Sequence, residues 1–206
     1  MTIQLSARGT RLNSRGRATR QQLLRSAIYC LAEGGPEAVS ANAVVKHAGV
    51  TWGTIQHQFG DVDGLWSAVL DYVDERRTVT EDRLPTHADV GHRVEAVVDL
   101  LWSALQMPGS IAIYKLRASL PRRRDQLEDS FPHTARAIAR WDHAWTTLCH
   151  QAFADLGVDP DRLARVRHLL PGAIRGIYNE QDLSTYIDAG EARRGLADAI
   201  TAYLQG

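Results

Sequence analysis

The chain has 206 residues, 44% of them hydrophobic and 23% charged, with 24 basic and 24 acidic side chains and two cysteines. That is enough apolar material to bury a real core in one compact domain, or in a small domain joined to a larger one. No apolar run approaches the roughly 20 residues that cross a bilayer, no signal-peptide segment opens the chain, and Cys30 and Cys149 lack paired spacing, so a reduced, cytoplasmic setting without membrane partners is expected.

The balanced charge conceals an asymmetry. Between residues 1 and 60 the basic residues Arg8, Arg11, Arg15, Arg17, Arg20, Arg25 and Lys46 face only Glu33 and Glu37. A basic head on an acidic body fits a nucleic-acid-binding head with a separate second module. A solvated tail has the same composition. Residues 1–18, with Gly9, Gly16 and no core pattern, read as a flexible Arg-rich arm.

Helical periodicity starts at residue 19, with Leu23, Leu24, Ala27, Ile28 and Leu31 on one stripe and Gly34-Gly35 as the stop. Ser40 can cap a second, short helix that buries Val44 and Ala48 and ends at Gly49. Thr51 can cap a third, running to about Phe59, and Asp61 a fourth carrying Leu65, Trp66, Val69 and Leu70. Further helices are expected over residues 90–106, 110–120, 133–156, from 159 onward with a kink at Pro171-Gly172, and over 191–204. No strand-type alternation of useful length occurs. The chain is all-α.

The third helix carries the chemistry. With Ile55 inward, Phe59 and Thr51 flank the buried side, and Gly53 and His57 point outward beside Thr54 and Gln56. The outward face, with Trp52 beside it at the helix start, is short, polar and free of acid. Two short helices joined by a Gly turn, the second showing hydrogen-bonding side chains, form a helix-turn-helix. Gln can read adenine in bidentate fashion, Thr can touch phosphate or a thymine methyl, and His can donate to either phosphate or a base edge. The expected DNA contacts are Arg15, Arg17, Ser40, Thr51, Trp52, Gly53, Thr54, Gln56 and His57.

The stretch "LLRSAIYCLAEGGPEAVSANAVVKHAGVTWGTIQHQFGDVDGLWSAVL" resembles the DNA-binding head of the TetR family of bacterial transcriptional regulators. The resemblance rests on a Gly-terminated first helix, "AGV" at the turn, "TxGTI" opening the recognition helix, and Phe59 followed by a capped fourth helix. It implies a helix-turn-helix domain over 19–64 and an effector-binding and dimerisation domain over 65–206. It further implies a homodimer on a palindromic double-stranded operator, released by a small-molecule effector. Three departures stand out. Gln56 replaces the aromatic of the family's "GTLY" element, Val62 replaces a phosphate-contacting lysine, and Asp61 and Asp63 flank it, repelling phosphate where exposed. The alternative is a helical binding or scaffold protein whose head no longer binds DNA.

The implied effector pocket would draw on Trp102, Met107, Tyr114, Leu116, Trp141, Trp145 and Tyr178, although aromatics at helical spacing are more often core. Arg122, Arg123 and Arg124 read as a solvated face or, less simply, as the rim of that pocket. His143, Cys149 and His150 have no metal-binding spacing, and no phosphate loop or nucleophile motif occurs, so no metal, cofactor or enzymatic activity is expected. Apolar faces on the last two helices resemble the family's dimerisation pair.

Overall fold

A computed structural model describes residues 6, 7, 9–34, 40–76 and 84–206. Among them ten α-helices follow in chain order: α1 Ser14–Glu33, α2 Ala41–Ala48, α3 Trp52–Phe59, α4 Val62–Asp74, α5 Val90–Leu105, α6 Pro108–Ser119, α7 Arg124–Ser130, α8 Pro132–Phe153, α9 Pro160–Glu180 and α10 Ala189–Gln205. Every regular element among the described residues is helical, as the periodicity implies. Two compact units result. The first holds α1 to α4, α6, α7 and α8 up to Trp141, and the second holds α5, α8 from Asp142, α9 and α10.

In the first unit, Leu23 and Leu31 of α1, Val44 of α2, Ile55 of α3 and Leu65 and Leu70 of α4 are fully buried in one cluster. Leu116 of α6 joins the same cluster. The division expected between residues 64 and 65 therefore runs through α4, whose apolar stripe packs with the head helices. Lys115 of α6 reaches the end of α1, donating to the carbonyls of Ala32 (2.6 Å) and Gly34 (3.4 Å). A cation there satisfies carbonyls that the helix leaves unpaired.

α1 starts earlier than residue 19. The Asn13 side chain accepts from the Gly16 N–H at 2.8 Å and opens the helix at Ser14. Its first turns are polar and give no hydrophobic period, so the apolar stripe alone hides them. Arg15 and Arg17 consequently ride on a helix, and Leu12 just before it is buried. Arg8 lies outside the described residues.

In the second unit, Val94, Val98 and Trp102 of α5 pack with Phe153 of α8, Leu170 and Ile174 of α9 and Ile200 of α10. Asp159 caps α9 through the Arg162 N–H (2.9 Å), with Pro160 in its first turn and Pro171 inside it. Asp188 caps α10. Among the described residues, one charged side chain lies within this core. Arg93 is 1% exposed and donates to the carbonyls of His87 and Ala152 and, in bidentate fashion, to the Asp155 carboxylate (2.9 and 3.0 Å). Every one of these bonds is charge-assisted, which is what makes burying a guanidinium tolerable. The bond from Arg93 holds the Asp155 carboxyl below its ordinary value.

Arg93→Ala should lower unfolding free energy by about 3 kcal/mol in urea titrations, because it strands the buried Ala152 carbonyl and opens a cavity. Asp155→Ala should also destabilise, by about 2 kcal/mol, because it leaves the buried Arg93 guanidinium with carbonyl partners only. A depressed carboxyl value means that the Asp155 contribution is present above the unfolded value near ~3.9 and fades as pH falls through the lower folded value.

Candidate nucleic-acid interface

The α2–turn–α3 pair is built by caps and one special backbone position. Ser40 accepts from the Ala43 N–H at 3.2 Å and starts α2. Gly49 ends it at φ +64°, a conformation that a side chain would strain. Val44 and Ile55, both fully buried, fasten the two helices to the core. On α3, Ile55, Gln58 and Phe59 are buried, Thr54 is half-buried, and Thr51, Trp52, Gly53, Gln56 and His57 are exposed. Trp52, Gly53, Gln56 and His57 of α3 are thus exposed, with Thr54 only half-exposed beside them. Thr51 departs from its expected role: its hydroxyl pairs with that of Thr54 (3.2 Å) and caps no N–H. On the far side of the pair, Tyr29 of α1 stacks on His47 of α2, ring centroids 4.6 Å apart.

The C-terminal end of α3 is held from α1. The Gln58 amide donates to the Gly16 carbonyl at 3.1 Å, and Arg20 donates to the Gln58 carbonyl while its guanidinium lies 4.4 Å from the Phe59 ring centroid. Burial pulls the Arg20 value down, and the Asp71 carboxylate opposes that shift. Asp71 also accepts from Arg140 of α8. Neither Arg20 nor Gln58 was legible as a support, since a buried Gln gives no periodic signal of its own.

The start of α4 fixes the other side. Asp61 accepts from the Gly64 N–H (2.8 Å), and a Cβ on Gly64 would fall 2.0 Å from the Phe59 carbonyl oxygen. Only glycine allows that approach. Asp63 corrects the expectation of an exposed, phosphate-repelling acid pair. It is 6% exposed, and its carboxylate accepts from the N–H groups of His133 and Thr134 at 2.8 Å each, capping α8. The Thr134 hydroxyl returns a bond to the Asp63 carbonyl at 3.2 Å. Val62 beside it is half-buried.

The remaining candidates distribute as follows. Arg15 is exposed, whereas the Arg17 guanidinium donates to the Leu12 carbonyl at 3.0 Å. Tyr114 and Trp141 belong to the first unit; Trp102, Met107, Trp145 and Tyr178 belong to the second. Trp102 is buried, edge-on to Tyr178 at 5.6 Å and under the Arg193 guanidinium at 4.6 Å. Trp145 donates to the Arg167 carbonyl at 3.0 Å, and Met107 is exposed. Arg123 pairs with Asp125, and Arg124 with Glu128, both at the surface. His143 and His150 are exposed, and burial pushes the Cys149 thiol up to about 11.

Two short helices joined by a left-handed glycine, the second exposing an acid-free polar face, define a helix-turn-helix DNA-binding head. Residues 23–69 match the family model described as bacterial regulatory proteins, tetR family. The match to that family is thus confined to the helix-turn-helix head of the chain. The chain is 34% identical over 88 residues to the HTH-type transcriptional regulator BetI 2 of Chromohalobacter salexigens, a match covering 39% of this chain and 42% of that protein. The chain thus spans less than half the length of that curated relative. A transcriptional regulator from Rhodococcus shares the fold at TM-score 0.66 and 19% identity, over 90% of this chain and 95% of that one. The multidrug binding protein EbrR, solved with imidazole, shares it at TM-score 0.62 and 20% identity, over 97% of each chain. Among the described residues no single helix is long and apolar enough to cross a membrane.

Gly64→Ala should destabilise the head by more than about 3 kcal/mol, since the new methyl meets backbone. Asp63→Ala should cost about 2 kcal/mol by leaving two N–H groups at the start of α8 without their cap, the Thr134 one buried. Denaturant melts followed by circular dichroism would measure both.

Proposed function

We propose that the chain is a cytoplasmic transcriptional regulator, most simply a repressor, that grips operator DNA with α3 and lets go when a small molecule binds the second unit. The observation that carries this reading is the exposed, acid-free face of Trp52, Gln56 and His57 on a helix fixed by its neighbours. Such a helix fits the major groove, where Gln and His can hydrogen-bond base edges. The match of residues 23–69 to a regulator family supports a binding protein rather than an enzyme. A gel shift with the DNA upstream of the chain's own reading frame tests it. Gln56→Ala and His57→Ala should each weaken binding by about 1–3 kcal/mol with unchanged melting temperature. Full binding by both variants would remove α3 from the groove.

A palindromic operator needs two heads. In the second unit, Leu169 of α9 is 55% exposed, and Gly172 and Gly176 on the same helix have nothing within 4 Å of a built Cβ. An apolar side chain beside two open glycines lets another backbone approach closely. α9 and α10 of two copies forming a four-helix bundle would cover that face. Leu169→Glu should shift sedimentation from dimer to monomer and weaken operator binding; an unchanged dimer would place the interface elsewhere.

For the effector, the supporting observation is the aromatic group of Trp102, Trp145 and Tyr178 in the second unit, with the Arg193 guanidinium beside Trp102. That chemistry suits an apolar or aromatic small molecule with a polar edge. A ligand entering there should quench tryptophan fluorescence and lower operator affinity, and by linkage DNA should weaken ligand binding by the same factor.

A further inference from the structure

We infer that residues 6, 7 and 9–13, before α1, form a clasp on the recognition helix that delivers Arg11 and Arg15 to the DNA phosphate backbone, an inference resting on the DNA-binding reading above. Ser6, Ala7, Gly9 and Thr10 make a tight turn, with the Ser6 N–H on the Thr10 carbonyl (2.8 Å) and the Gly9 N–H on the Ser6 carbonyl (2.9 Å). The Thr10 N–H adds a bond to the Ser6 hydroxyl at 3.2 Å. Ser6 and Leu12 are 6% and 5% exposed, so this is a packed element rather than a loose arm.

The turn is docked on α3. The Ala7 N–H donates to the carbonyl of His57, the outward-facing residue near the end of the reading surface, at 3.2 Å. A second tie comes from α3 itself, where Gln58 donates to the carbonyl of Gly16, between Arg15 and Arg17. Arg17 is turned back to the Leu12 carbonyl and braces the connection between the turn and α1. That leaves the side chains of Arg11 and Arg15, both exposed and without a protein partner among the described residues. No acidic residue precedes Glu33 in the sequence. The backbone that carries these two guanidiniums is therefore pinned to the end of the candidate reading helix. Phosphates flank that groove on both sides, and Arg recognises them with a paired donor fork.

Pinning matters energetically. A loose arm loses conformational freedom when it settles on DNA, whereas a docked one has lost it already on folding.

The test uses the full chain and a fluorescein-labelled duplex of mixed sequence, about 30 base pairs long, with binding followed by anisotropy between about 50 and 200 mM salt. The wild type should bind with a steep salt dependence. Arg11→Gln and Arg15→Gln should each flatten the slope of log affinity by roughly 0.9 for every phosphate no longer neutralised, with unchanged melting temperature. Ala7→Pro removes the donated N–H but keeps both arginines, and should weaken binding several-fold at the low-salt end. A slope unaltered in both arginine variants would overturn delivery to phosphate while leaving α3 in the groove. Full affinity in Ala7→Pro would overturn the docking. A wild type that binds neither this duplex nor the upstream DNA would remove the DNA-binding reading, and the clasp with it.

Discussion

A helix of eight residues does not hold itself together in water, where isolated helices shorter than about 12–15 residues are marginal. α3 has eight. Its helicity, and the fixed angle of everything it displays, must come from packing. Ile55 and Phe59 anchor it from within, Gln58 and Arg20 tie its last turn to α1, and Gly64 lets α4 press against its final carbonyl. Because these supports sit on the inward side and at the ends, the outward residues carry no structural duty. They are free to be chosen for contact with another molecule.

The first turn of α4 concentrates several of these duties. Asp61 caps α4 itself, Asp63 caps α8, and Gly64 accepts the close approach of α3. One turn of helix therefore sets the relation of three helices within the first unit. Asp71, two turns further on, takes a bond from Arg140 of α8 and faces the charge of Arg20. A displacement of the start of α8 has polar routes to the recognition helix as well as apolar ones. Routes of that kind couple sites only where both arrangements are stable.

The sequence made the helices legible because their apolar positions recur at helical spacing and their ends carry Ser40, Gly49, Asp61 and Asp159. The exposed face of α3 was legible for the same reason: once Ile55 is inward, geometry fixes the rest. What escaped was set by contacts between distant residues. Asp63 reads as an ordinary acid in a first helical turn, and only the arrival of Thr134, far along the chain, makes it a buried cap. The polar first turns of α1 read as tail because their stabilising partner, Gln58, lies on another helix. Trp102 and Trp145 belong to the second unit, Tyr114 and Trp141 to the first, a division that helical spacing cannot reveal.

The stacked pair of Tyr29 and His47 has a spectroscopic consequence. Both rings are at the surface, one on α1 and one on α2, and they lie 4.6 Å apart at 25°. Ring currents at that spacing displace the proton resonances of each ring from their ordinary positions. The imidazole signals of His47 therefore form a built-in gauge of the α1–α2 contact, readable by NMR without a label. A loosening of α2 from α1 would register as a return of those signals toward free-histidine values, even where the backbone moves too little to be seen.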